Sequence, residues 1–203
     1  MAHNNNTPTT LRLRVERVNP EAICSPLLTE SDKEFLATLT APSRREQWAT
    51  ARVVLREELG KGAELRYAST GALVLATPVG DVGYLSVSHC AEWVAVMLCS
   101  RRCGVDIESL DRGFSKVASR YISHEEREQF GSTVGEHFEA LMWSAKEALY
   151  KYGGSAGLDF IRDMVITAID TTEQTLSAEL YGLATPKVHY QLRDNHILCY
   201  ISE

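Results

Sequence analysis

The order of hydrophobic periodicities along these 203 residues predicts an α+β fold in two similar halves, residues 1–103 and 104–203, each a long helix packed on a small antiparallel sheet. Three observations carry that prediction. Ser43-Arg44-Arg45-Glu46 and Ser123-His124-Glu125-Glu126 both have the Ser-x-x-Glu form of a capping box, which opens a helix by satisfying its first amide groups. Each half contains one long helical stretch, stopped by Gly60 in the first and by Gly153-Gly154 and Gly157 in the second. Short strand-like runs bounded by Gly, Pro, Asn or Asp then follow in both.

Taken in order, the polar stretch Met1 to Thr10 lacks the basic start and apolar stretch of a secretory signal and reads as a mobile tail. The first helix runs from Ser43 to Leu59. Strands are expected at Leu65–Tyr67, Leu73–Ala76, Tyr84–His89 and Trp93–Cys99. The last of these is the longest uninterrupted apolar run; a membrane helix needs about 20 such residues, so it reads as a buried strand. With Cys103–Glu108 it is expected to form a three-stranded meander, bringing His89 and the Asp106/Glu108 pair to the same end of one sheet.

The second-half helix, Glu136 to Tyr152, sets Phe138, Leu141, Met142, Ala145, Leu149 and Tyr152 in one apolar stripe, its buried face. Strands are expected at Met164–Ile169, Leu176–Leu180, Val188–Leu192 and, after an Asp194-Asn195 turn, His196–Ile201. The halves match in pattern, without a residue-level repeat.

Composition is that of a globular protein, 44% hydrophobic and 24% charged. The net charge of −6 is uneven: residues 1–103 carry 12 Lys+Arg against 11 Asp+Glu, whereas residues 104–203 carry 9 against 16. An acidic chain argues against a nucleic-acid binder; a basic wall facing an acidic one suits phosphates and a metal. The five cysteines, Cys24, Cys90, Cys99, Cys103 and Cys199, include no CxxC pair, and a chain of this size stands without disulfides. They read as reduced thiols in a cytoplasmic protein with no zinc site.

The chemistry concentrates in two stretches. In Gly104-Val105-Asp106-Ile107-Glu108, read as a strand, Val105 and Ile107 enter a core while Asp106 and Glu108 share the opposite face, where a hard cation relieves their repulsion. In Trp143-Ser144-Ala145-Lys146-Glu147-Ala148-Leu149-Tyr150-Lys151, Trp143, Glu147 and Lys151 recur every fourth residue on the flank away from the apolar stripe. A solvated face with a Glu–Lys pair is the plain account; a tryptophan on such a face requires something to cover it. His89 alone would be a surface turn residue, but the expected meander sets it and Ser88 beside the acids. Arg45, Arg52 and Arg56 border the Trp48, Leu55, Leu59 face of the first helix, where arginines either snorkel over apolar surface or grip phosphate.

Ser-His, then G-V-D-I-E, then W-S-A-K-E-A-L-Y-K, in this order and at these separations, resembles the 4′-phosphopantetheinyl transferase superfamily, firmly from Tyr84 to Gly154 and more loosely in the Ser43–Gly60 helix and the C-terminal sheet. Length and the two-half pattern resemble its surfactin-synthetase-activating type, a monomer of two pseudo-symmetric halves, rather than the short trimeric type. The resemblance implies transfer of 4′-phosphopantetheine from coenzyme A to a serine of an apo acyl or peptidyl carrier protein, leaving 3′,5′-ADP. It implies Mg²⁺ held by Asp106, Glu108 and Glu147. Lys151, with Lys146 as a second, would contact the phosphates, as would Ser88 and His89, and Arg45 and Arg52 would meet the nucleotide end.

Glu147 and Lys151 would thus be the catalytic pair, the serine proton passing to Glu147 or to water on the metal. Residues 1–103 would form the nucleotide and phosphate wall, and 104–203 the metal and carrier side. One departure stands out: relatives carry a Gly-Lys-Pro-like element where this chain has Gly71-Ala72-Leu73 or Gly80-Asp81-Val82, without the lysine. The segment Arg112–Phe130, of mixed charge, corresponds to part of the family's carrier-docking surface and is otherwise two solvated helices. The rival readings are a Mg²⁺-dependent phosphohydrolase and a non-catalytic coenzyme A-binding protein.

Overall fold

The chain builds two antiparallel sheets that meet face to face, each with a long helix on its other side. A computed structural model describes residues 11–67, 73–77 and 80–203; the expected tail, Met1 to Thr10, and Gly71-Ala72 lie outside the described residues. Strands β1 (Arg12–Arg17), β2 (Glu64–Tyr67), β3 (Leu73–Thr77), β4 (Gly80–His89) and β5 (Trp93–Cys99) form the first sheet in the order β1-β5-β4-β3-β2. Helices α1 (Glu30–Thr38) and α2 (Pro42–Leu59) lie between β1 and β2 in the chain.

Strand β5 shows why its sequence is apolar throughout. Val94, Val96 and Leu98 pack with Val54 and Leu55 of α2. The alternate residues Ala95, Met97 and Cys99 join Val105, Ile107 and Leu198 in the layer between the sheets. A strand buried on both faces has no polar position to offer.

The second sheet contains β6 (Cys103–Ser109), β7 (Met164–Asp170), β8 (Thr175–Leu180), β10 (Val188–Arg193) and β11 (His196–Ser202) in the order β6-β11-β10-β8-β7, with the short β9 (Leu183–Ala184) on β8. Asp194 and Asn195, both at positive φ, turn the chain from β10 to β11. Helix α3 (His124–Phe130) opens with the capping box of Ser123 and Glu126, and α4 (Phe138–Gly153) ends at Gly154 in the left-handed conformation. Leu141, Met142, Ala145, Ala148 and Leu149 are fully enclosed in a core with Met164, Ile166, Leu176, Val188, Ile197 and Ile201. Burying each large side chain there contributes about 1.5–3 kcal/mol, so α4 is firmly seated and presents its other flank rigidly.

Two sequence expectations are corrected. The meander stops after β5: β6 pairs with β11 in the second sheet, in a register that sets Asp106 opposite Cys199. The reason is β1, an unforeseen strand that takes the remaining edge of β5 along Arg17↔Trp93 to Arg12↔Leu98. Helix α2 begins at Pro42 with no side-chain cap, because proline presets the first helical residue and leaves Ser43 inside the first turn. The capping box of the first half belongs instead to Thr29 and Asp32, which open the unforeseen α1.

Candidate functional site

Strand β6 lies directly on α4 because residue 104 is glycine. A Cβ there would overlap the Ala148 carbonyl and come within 2.8 Å of the Tyr152 amide nitrogen, backbone atoms that cannot yield. The same face of β6 next presents Asp106 and Glu108, while Val105 and Ile107 are completely buried on the opposite face. Residues 143, 147 and 151 of α4 run alongside.

Asp106 is buried, and its Oδ1 accepts hydrogen bonds from Ser88 Oγ at 2.8 Å and Lys151 Nζ at 2.8 Å. Its Oδ2 is buried with no hydrogen-bond partner. Lys151 also donates to the Val105 carbonyl at 2.8 Å, and Ser86 Oγ accepts from the Val105 amide at 2.9 Å. These side-chain bonds occupy the edge of β6 that turns toward the first sheet.

Glu108 Oε1 accepts from Trp143 Nε1 at 2.7 Å and pairs with Arg112. Trp143 is covered by Tyr121 edge-on at 5.0 Å, by Phe160 stacked at 5.7 Å and by the Arg112 guanidinium at 4.8 Å. Burial, and then the charge of Asp106, raises the pKa of Glu108 against the lowering pull of Arg112 and Trp143. The same two causes, in the same order, raise Glu147, with Lys151 opposing. Among the described residues nothing hydrogen-bonds the Glu147 carboxylate.

His89, at the end of β4, is pulled down to about 4 by burial, then by Arg44 and Lys151, with Asp106 opposing. It is a neutral imidazole at physiological pH, so the free protein does not offer it as a cation.

The acids therefore influence one another across the β6–α4 crossing. Among the described residues, however, no three His, Cys, Asp or Glu side chains are gathered closely enough to form a ready metal-ligand set. Glu108 is drawn to Arg112 and Trp143, and Asp106 Oδ1 to Lys151 and Ser88. An orphaned buried carboxylate oxygen beside two carboxyls held above their ordinary range nonetheless fits a hard cation, which takes oxygen ligands and relieves both penalties.

Other expected site residues sit elsewhere. Lys146 is wholly enclosed, paired with Glu126 Oε2 at 2.8 Å and donating to the Phe160 carbonyl at 2.8 Å, because position 146 lies on the core side of α4. Arg52 is buried, its Nε 3.2 Å from Asp32 Oδ1 and its guanidinium 4.7 Å over Trp48. Arg56 pairs with Asp32 Oδ2 at 2.9 Å. Arg45 is half-buried and reaches the Leu39 carbonyl at 3.5 Å. The first-half cation that acts on His89 is Arg44, exposed at the start of α2. A helical wheel puts Arg44 off the arginine stripe, which is why the stripe concealed it.

Residues 102–201 match the family model of the 4′-phosphopantetheinyl transferase superfamily (ACPS), a stretch that holds β6, α4 and the whole second sheet. No curated protein matches the chain. The chain is a mixed α+β protein with antiparallel sheets, and it belongs to the 4′-phosphopantetheinyl transferase superfamily. Membership makes it a transferase concerned with phosphopantetheine. No helix among the described residues is long and apolar enough to cross a membrane, and all five cysteines are free.

Proposed function

We propose that this protein transfers 4′-phosphopantetheine from coenzyme A to a serine hydroxyl of an apo acyl or peptidyl carrier protein, releasing 3′,5′-ADP and holo-carrier protein. The observation that carries the reading is the buried, unpartnered Asp106 Oδ2, on a carboxylate whose charge raises both Glu108 and Glu147, in a member of this superfamily.

In this reading Asp106, Glu108 and Glu147 would hold Mg²⁺, which when bound neutralises the coenzyme's diphosphate. Lys151, fixed by Asp106 and the Val105 carbonyl, adds a positive charge beside the transferred phosphoryl group. Ser88 holds Asp106 in place, and His89, neutral until an anion arrives, donates a hydrogen bond to phosphate. Arg44 is the first-half cation assigned to the nucleotide end, in place of Arg45 and Arg52. Glu147, whose pKa burial already raises, takes the serine proton.

Residues 1–103 then form the phosphate wall and 104–203 the metal and carrier side. Both sheets pair their first strand with their last, β1 with β5 and β6 with β11, which supports two pseudo-symmetric halves and the monomeric surfactin-synthetase-activating type. The test is incubation with coenzyme A, Mg²⁺ and a panel of apo-carriers, read by mass spectrometry. One added phosphopantetheine per carrier is expected. Inorganic phosphate released without any carrier points instead to a phosphohydrolase, and coenzyme A binding without transfer to a scaffold.

A further inference from the structure

Arg112 does more than decorate the turn after β6. Its guanidinium pairs with Glu108 Oε1 and lies 4.8 Å over the ring of Trp143 and 5.4 Å over that of Phe114. Trp143 Nε1 donates to the same Oε1. One oxygen of a proposed cation ligand is thus shared by two donors. Arg112 is nearly half exposed, 45% against 13% for Glu108, so it can leave without opening the core. Lys151, by contrast, is tied to both Asp106 and the β6 backbone.

We infer that Arg112 is an exchangeable counter-cation: it holds Glu108 while the site lacks a divalent ion, gives the carboxylate up when the ion arrives, and so sets the affinity for that ion. The inference rests on the proposed cation site. Only the arginine of the Arg112–Glu108 pair is solvent-accessible, its cation–π contacts are worth little at such a site, and Trp143 Nε1 still bonds Glu108 when it leaves, which makes the arrangement reversible.

Calorimetric titration of Mn²⁺ into the full-length, coenzyme-free protein tests this. Arg112→Met, which keeps an apolar side chain on the two rings, is expected to bind Mn²⁺ about fivefold more tightly than wild type, and Arg112→Lys within about twofold of it. Lys116→Met, removing an exposed cation from the same segment, should leave the affinity unchanged. With Trp48 and Trp93 replaced by Phe, Trp143 becomes the single tryptophan, and Mg²⁺ should alter its emission strongly only where Arg112 is present. Equal or weaker Mn²⁺ binding by Arg112→Met, or an equal gain from Lys116→Met, overturns the exchange while leaving the cation site standing. No binding by wild type overturns both.

Discussion

Helix α4 carries two lysine–carboxylate pairs, Lys146 with Glu126 and Lys151 with Asp106, each closed at 2.8 Å. They are built for different purposes. Glu126 has both oxygens filled, Oε1 by the Ile166 amide at 2.9 Å and Oε2 by the Ser123 amide at 2.9 Å together with Lys146. It joins α3, α4 and β7 at one point. Burial lowers the Lys146 pKa and Glu126 opposes that shift, so the pair is stable only intact. Asp106 has one oxygen accepting two hydrogen bonds and the other bare, and its charge helps to raise two further acids, Glu108 and Glu147. A buried pair whose bonds are complete holds a fold; one with surplus negative charge has room for a cation from outside.

The sharpest way to break this comparison is Glu147→Gln, expected to cut transfer by about 10³-fold or more with the unfolding midpoint unchanged. Retained turnover in the carrier-mass assay would remove Glu147 from the chemistry. Next, Lys146→Met should cost about 3–5 kcal/mol in urea unfolding, because it strands the buried Glu126. Lys151→Met should cost less, about 1–3 kcal/mol, since Asp106 keeps its bond from Ser88 and the lysine's place is open to water, yet slow transfer about 10²-fold. If the two variants exchanged phenotypes, the division between structural and functional pair would be wrong.

Gly104→Ala should destabilise by about 1–3 kcal/mol through the clash with Ala148, lowering activity in proportion to the unfolded fraction. The smallest effect concerns pH. The folded-state pKa of His89 is lowered from 6.5 to about 4, so the unfolded chain binds more protons between these values and stability rises with pH across that window. Denaturant titrations of His89→Gln should show a shallower rise there, and an unchanged slope would place His89 in an ordinary solvated setting.

Much of the second half was legible because strong periodicity leaves one reading. The α4 stripe from Phe138 to Tyr152, the Ser123–Glu126 cap and the turn at Asp194-Asn195 each follow from local chemistry. Strand β1 is equally legible in the alternation of Leu13 and Val15 with Arg12, Arg14 and Glu16, although the polar stretch before it masks the signal.

By itself the sequence determined which side chains share a face: Asp106 with Glu108 on β6, and Trp143 with Glu147 and Lys151 on α4. Spacing along a strand or helix is a local property. Only the tertiary structure decided which charges were already answered, burying Arg52 against Asp32 and Lys146 against Glu126 while bringing Arg44 to His89 and leaving Asp106 Oδ2 bare. Charge compensation depends on distances between elements remote in the chain, and those are set by how the two sheets and their helices pack.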